Sequence, residues 1–211
     1  MSKVDLRVDW CSHEAAKYAV EHWHYSKSLP SFKKATFGVW ENSIFIGTII
    51  YSWGANRNIG SPYGLETGQA VELVRVALSH HYSPVSEIVS KTIKMIRIQS
   101  PGIRCLVSYA DPLENHMGGI YQAMNWVYIG LSSSSEKVWY NGKWSHKRTV
   151  DSKYGNHKGF EVKNVLGKHK YLYPLDRAMR KQIAVLAKPY PKRESCGQSV
   201  EGDTIDDQSI E

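Results

Sequence analysis

The stretch from Ala70 to Asp111 constrains the fold more than any other part of the chain. "AVELVRVAL" (70–78) is an apolar, β-branched run of strand length, and "SHHYSPVS" turns the chain. "SEIVSKTIKMIRI" (86–98) sets Ile88, Val89, Ile93 and Ile96 on one side of a helix, and "SPG" stops it. "IRCLVSYAD" (103–111) is a second buried strand. A strand, a helix and a second strand imply a parallel pair joined by a right-handed crossover. Upstream, "SHEAAKYAVEHW" (12–23) has helical spacing and Ser12 to cap it. "ATFGVW" and "SIFIGTIIYSW" flank an "ENS" turn and form a hairpin. Downstream, "GGIYQAMNW" is a short helix and "VYIGLS" a strand. The order from residue 12 to 131 is therefore α–β–β–β–α–β–α–β. It predicts an α/β fold, a mixed β-sheet flanked by helices.

The chain has 211 residues, enough for one substantial core. Its net charge of +7 is unevenly placed. Residues 137–193 hold 15 Lys/Arg against 3 acids, and residues 194–211 hold 6 acids and no Lys or Arg. We therefore divide the chain into a core (1–136), a basic C-terminal extension (137–193) packed on it, and an acidic tail (194–211) expected to be disordered. In the extension, Asn141-Gly142 between aromatic-rich runs signals a hairpin, and a helix is expected from Pro174 with Leu175, Ala178, Met179, Ile183 and Leu186 on one face. A basic stripe fits a polyanion such as DNA, or a merely solvated surface. Lys143, His146, Lys147, Arg148, Lys168 and Lys170 are the candidate DNA contacts. No apolar run approaches membrane-spanning length, and "MSKVDLRVDW" lacks the apolar core of a signal peptide. Cys11, Cys105 and Cys196 form no C-x-x-C pair and read as free thiols in a reducing cytoplasm.

Polar residues crowd four places. "HWHYSKS" (22–28) follows the first helix, where His24 either caps the helix end or joins a site. Glu72 and Arg75 interrupt an apolar strand; they are an ordinary ion pair or, three apart in a regular strand, point to opposite faces where each needs its own partner, and Arg75 is the candidate site residue. Ser108 and Asp111 end a strand ahead of His116, Tyr121, Gln122 and Asn125. Asp111-Pro112 is either a plain turn or part of a ligand site, because ligands bind at strand carboxyl ends in α/β sheets. The basic hairpin is the fourth.

No nucleotide-binding, nucleophile-elbow or zincin motif is present, nor the D-P-P-Y type of the adenine methyltransferases. The loop before the second helix would present the amides of Ser83, Val85 and Ser86 at a helix N-terminus, a site for phosphate. N-acetyltransferases of the GNAT type hold the pyrophosphate of acetyl-CoA in the loop at that position. Their glycine-rich R/Q-x-x-G-x-G/A pattern is missing here.

"HWHYSKSLP", "FGVWENSIFIGTIIY", "ELVRVAL", "SYADPLENHMGGIYQAMNWVYIG" and "HKRTV", in this order, resemble the Mom family of bacteriophage DNA-modification proteins over about residues 12–175. The resemblance implies a GNAT-like fold. It also implies conversion of adenine in DNA to N6-carbamoylmethyladenine, which shields phage DNA from restriction in the host cytoplasm. By motif match, His24, Tyr25, Ser26, Arg75, Ser108, Asp111 and Tyr121 would line the catalytic site. Tyr25, Trp23 or Trp53 would stack on a flipped adenine, Asp111 would take or position the N6 proton, and Arg75 would bind the donor. Acyl transfer from acetyl-CoA gives N6-acetyladenine, whereas the family product joins N6 to a CH2 bearing a carboxamide. The donor is then acetyl-CoA with further chemistry or a glycine-derived group. A redox route would use an iron site in which His24 and Asp111, with His116 or Tyr25, are the available ligands. The competing readings are an ordinary N-acetyltransferase acting on a protein or small molecule, and a non-catalytic DNA-binding protein.

Overall fold

The computed structural model describes residues 4–30, 33–54 and 57–192. Strand β1 (Leu6–Trp10) precedes helix α1 (His13–Trp23), the hairpin of β2 (Lys33–Glu41) and β3 (Ile44–Ser52), strand β4 (Ala70–Leu78) and helix α2 (Val85–Gln99). Strand β5 (Cys105–Ala110), short helix α3 (Gly119–Ala123) and strand β6 (Val127–Leu131) follow. This is the expected order with β1 added in front. Then come β7 (Ser135–Tyr140), β8 (Lys143–His146), α4 (Lys147–Tyr154), β9 (Val162–Val165), β10 (His169–Pro174) and α5 (Arg177–Ala184).

The main sheet has seven strands in the order β1-β2-β3-β4-β5-β10-β6. β4 and β5 pair in parallel around the α2 crossover, and the other described pairs are antiparallel. The mixed sheet flanked by helices is thus what the chain forms. Neighbouring residues show the two faces. Ile49 and Tyr51 of β3 pack with Ile88, Val89 and Ile93 of α2, while Ile50 packs with Ala16, Ala19 and Val20 of α1. On β5, Leu106 faces α2, and Cys105 and Val107 face Met179 and Ile183 of α5. Burial of these aliphatic side chains stabilises each helix on its face by about 1.5–3 kcal/mol per fully buried residue.

Local chemistry explains most boundaries. Ser12 caps α1, its Oγ accepting from the Ala15 amide at 3.2 Å. Asn42 (φ 48°) and Ser43 (φ 67°) form the β2–β3 turn, and Asn141 (φ 49°) and Gly142 (φ 73°) the β7–β8 turn. Two expectations are corrected. The last helix begins at Arg177 rather than Pro174, because Asp176 caps it, accepting from Met179 N at 2.7 Å. Pro174 instead ends β10, and Arg104 grips Asp176 through two hydrogen bonds of 2.7 and 3.2 Å. Nor does residue 136 divide a core from an appended extension. β10 lies between β5 and β6, so the basic segment supplies an inner strand of the sheet.

The rest of that segment makes a three-stranded sheet, β8-β7-β9, with α4 on one side. The acidic tail and Cys196 lie outside the described residues; among the described residues Cys11 and Cys105 form no disulfide. Among the described residues no helix is long and apolar enough to cross a membrane.

Candidate active site

The parallel strands β4 and β5 pair only from Ala70–Cys105 to Leu73–Ser108. Past that point they part, and a cleft of about 660 Å3 opens in the fork. Its walls are Trp23–Tyr25 after α1, Leu73–Val76 of β4, Tyr109 and Ala110 of β5, and Asn115–Tyr121 leading into α3. Three of the four polar stretches converge there.

A β-bulge shapes the β4 wall. Opposite β3, Arg75 pairs with Ile50 and Leu73 with Tyr51, leaving Val74 as the extra residue. The slip reverses the expected geometry of Glu72 and Arg75. Glu72 pairs with Ser52 and Arg75 with Ile50, and those partners are two apart, so both charges lie on the α1 face. The bulge also explains the mixed period of this strand: Val71 and Leu73, then Val76 and Leu78, all reach the α2 side.

Arg75 is a clasp. Its Nε and one terminal nitrogen both donate to the Ser28 carbonyl at 3.0 Å, and the other terminal nitrogen donates to Val74 O at 2.7 Å. It therefore ties the segment after α1 to β4. Three of its five N–H groups are engaged in these bonds.

His24 is both helix cap and cleft wall. Its backbone amide closes α1 on Val20 O at 3.2 Å. Its Nδ1 accepts from the Ser26 amide at 3.1 Å and lies 2.8 Å from Ser26 Oγ. An Nδ1 that receives an amide proton carries none itself, so the ring is neutral with its proton on Nε2. Burial first, then the charges of Arg75, His116 and Lys168, push its pKa down to about 4. The Tyr25 ring stacks on it at 4.4 Å and meets His116 edge-on at 5.6 Å. Tyr25 is half exposed, while Trp23 is packed against Tyr18 and Phe45. Trp53 does not line the cleft.

At the crotch of the fork, buried Ser108 Oγ bonds the Leu73 carbonyl at 2.8 Å and the Tyr121 hydroxyl at 2.7 Å. Burial raises the Tyr121 pKa to about 12, so its hydroxyl stays protonated at neutral pH. Gly118 (φ +77°) lets the wall close, because a Cβ there would meet the Tyr171 ring at 2.4 Å.

Asp111, Ser108 and Glu72 sit next to the lining residues rather than among them. Asp111 Oδ1 accepts from Leu113 N at 3.0 Å, and Oδ2 meets Lys168 Nζ at 2.9 Å. Burial opposes its ionisation, but the Lys168 bond and charge outweigh that and hold its pKa below the ordinary value. It is a held carboxylate and, for the role of proton acceptor, a weak base. Glu72 is the opposite case. Burial lifts its pKa to about 7 against the pull of Arg75, Lys168 and Lys170. A Cβ on Gly54 would lie 2.6 Å from its Oε2, so the loop backbone presses on the carboxyl. Sequence inspection marked Glu72 as an intruder in an apolar strand but assigned it no site role; its proximity to Lys168 and Tyr121 depends on the fold.

The expected phosphate cradle before α2 is occupied at its first amide. Glu41, buried at the end of β2, accepts from Tyr82 N at 3.2 and 2.9 Å and from Ser83 N at 2.6 Å. Pro84 has no N–H to offer. Of the three residues expected to hold a cofactor, the Ser83 amide is therefore occupied by an internal carboxylate. Val85 and Ser86 lie in the first turn of α2. A diphosphate on this loop would have the amides of Val85 and Ser86 but would have to displace Glu41 from Ser83 N. An iron site fits no better. Among the described residues no three His, Cys, Asp or Glu side chains come together to hold a metal. The Ser26 amide keeps the His24 proton on Nε2, and Lys168 engages Asp111.

The six candidate DNA contacts divide. Lys143 and Arg148 are exposed on β8 and α4, and Lys147 is paired with Glu136. The side chain of His146 lies outside what the structure describes. Lys168 belongs to Asp111, and half-buried Lys170 rests over the rings of Tyr63 and Tyr109 at 5.0 and 5.6 Å. These last two border the cleft and not the hairpin.

A probable acetyltransferase from Staphylococcus epidermidis superimposes with a TM-score of 0.48 at 8% identity, covering 82% of this chain and 99% of that one. FeeM, an N-acyl amino acid synthase from uncultured soil microbes, gives 0.46 at 15% identity, covering 85% and 94%. A curated relative, the methylcarbamoylase Mom of Escherichia phage Mu, is 27% identical over 206 residues, covering 89% of this chain and 84% of that protein. The model of the Mom protein family matches residues 5–192, which include every residue of the cleft, and the chain belongs to that family.

Proposed function

We propose that this chain is a phage DNA-modification enzyme that transfers a carbamoylmethyl group to N6 of adenine and so protects DNA from restriction. The observation that carries this reading is the family match spanning the cleft, together with the phage Mu relative's name, methylcarbamoylase. It acts in the cytoplasm of the host cell, where the phage DNA is.

The N6 lone pair of adenine is delocalised into the ring, so the base must be taken from the duplex and placed accurately. Tyr25, exposed and backed by His24, offers the stacking surface. Tyr121 presents a protonated hydroxyl fixed by Ser108. Arg75 fixes the His24–Ser28 segment and directs its remaining N–H groups to the carboxamide or carboxyl end of the donor. Glu72, beside cleft residue Leu73 and with its pKa raised by burial to about 7, is the candidate base for the N6 proton; Asp111 with Lys168 positions the base instead. Glu41 on the Ser83 amide favours, over acetyl-CoA, a donor without a diphosphate, such as a glycine-derived group whose CH2 carbon bears a leaving group that departs with its bonding pair as N6 attacks.

The test is mass spectrometry of nucleosides from plasmid DNA made with and without the protein. Deoxyadenosine carrying a carbamoylmethyl group is the expected product. An acetyl increment would mean plain acyl transfer, and unmodified adenine in cells rich in folded protein would refute the reading.

A further inference from the structure

One face of the small sheet is covered by α4; the other is buried at Val165 and exposed at Trp139 and Lys163. Val138 of β7 is buried and faces α4, whose Val150 is buried too. Lys147 of α4 bonds Glu136, and Lys153 donates to the Tyr140 hydroxyl at 2.8 Å. Glu136, Val138 and Tyr140 therefore point to the helix. Strand alternation turns Lys137 and Trp139 the other way. Register places Trp144 of β8 opposite Trp139, and Lys163 of β9 opposite Lys137. The two indoles meet at 5.4 Å in a T-shape, Trp139 is 42% exposed, and the Lys163 ammonium lies 4.2 Å over the Trp144 ring. Residues 137–165 carry seven basic residues against Asp151 and Glu161. Glu161 borders this face, its carbonyl accepting from Trp139 N.

The face begins at the rim of the cleft. Ser132, three residues before β7, bonds the backbone of Lys168 through its amide at 2.8 Å and its Oγ at 2.9 Å. Lys168 in turn holds Asp111, next to cleft residue Ala110. On the side away from the helix an indole pair lies between lysines, Trp139 exposed and Trp144 half-buried. It is the combination that holds a single nucleic-acid strand: flat rings for unstacked bases and ammonium groups for phosphates.

We infer that the open face of the small sheet binds the DNA strand flanking the extruded adenine, with bases on Trp139 and Trp144 and phosphates on Lys137 and Lys163. This rests on the DNA-modification reading and adds the place where the substrate strand lies, which differs from the outer side of the hairpin.

The test is fluorescence anisotropy with a labelled single-stranded oligonucleotide containing one adenine, and with its duplex, over a range of salt. Trp139→Ala and Trp144→Ala each weaken single-strand binding by roughly tenfold without changing the salt dependence. Trp139→Phe retains most of the affinity. Lys137→Gln and Lys163→Gln each lower the slope of log Kd against log salt by about 0.7. Thermal unfolding confirms that each variant folds. Should the alanine variants not fold, the lysine variants decide, and an unchanged slope overturns the proposal. Folded alanine variants that bind as the wild type does also overturn it, as does duplex binding that ignores both tryptophans. If these residues govern binding but no adenine is modified in cells, the surface stands and the enzymatic reading fails. Modification with unaltered binding is the converse.

Discussion

The carboxylate of Glu41 sits on the amides of Tyr82 and Ser83, the closest contact being 2.6 Å to Ser83 N. The two residues are 42 apart in sequence, and the bond ties the β2–β3 hairpin to the start of α2. It places an internal anion where a strand–loop–helix unit would otherwise receive a phosphate.

A first prediction concerns the donor. CoA titrated into the protein in a calorimeter should bind no tighter than about 1 mM. Micromolar binding would mean that Glu41 gives way to the diphosphate. Glu41→Ala should lower stability in urea by about 2–4 kcal/mol, because buried amides lose their acceptor.

The protonation of His24 follows from its bonds. Its folded pKa, about 4, lies below the ordinary 6.5. The unfolded chain therefore takes up a proton first as pH falls, and this residue's contribution to stability is lost between about pH 6.5 and 4. In NMR spectra the ring should show the Nε2–H tautomer and no titration between pH 5.5 and 8. A midpoint near 6.5 would show that the Ser26 amide does not hold Nδ1.

Glu72 has the opposite sign of linkage. Its folded pKa of about 7 exceeds the ordinary 4.5, so the unfolded state ionises first as pH rises. Stability falls between about pH 4.5 and 7, by at most about 3 kcal/mol. Glu72→Gln should therefore be more stable than the wild type at pH 8 and equal to it at pH 4. It should also lose most of its modification activity. A variant with full activity would remove Glu72 as the base.

Arg75→Lys keeps the charge but loses the two-pronged grip on Ser28 O. The expected outcome is a drop of about 1–2 kcal/mol in stability and at least a tenfold loss of activity. Proteolysis within 24–30 should become faster. Unchanged protease resistance would mean that the clasp is not what orders this segment.

Much of the fold was legible from local patterns. The α2 crossover followed from Ile88, Val89, Ile93 and Ile96, and both hairpins from their turn residues. The convergence of His24, Arg75 and Tyr121 on one cleft follows from helix, strand and loop meeting at a fork. What escaped was set by long-range pairing. The bulge at Val74 breaks the alternation of β4, so regular strand geometry turns Glu72 and Arg75 apart whereas pairing with β3 puts them on one face. β10 is six residues long and lies in a lysine-rich segment, and only its neighbours β5 and β6 make it a core strand. The Glu41 contact has no local trace at all, although Pro84 already subtracts one amide from the loop.

The most direct measurement is nucleoside mass spectrometry on DNA from cells expressing the wild type, Tyr25→Ala or Tyr121→Phe at equal levels of folded protein. The wild type should give carbamoylmethyl-deoxyadenosine and each variant at least tenfold less, because the Tyr25 ring stacks the base and the Tyr121 hydroxyl serves the reacting centre. Undiminished modification by both variants would place the chemistry outside the fork between β4 and β5 and contradict the account.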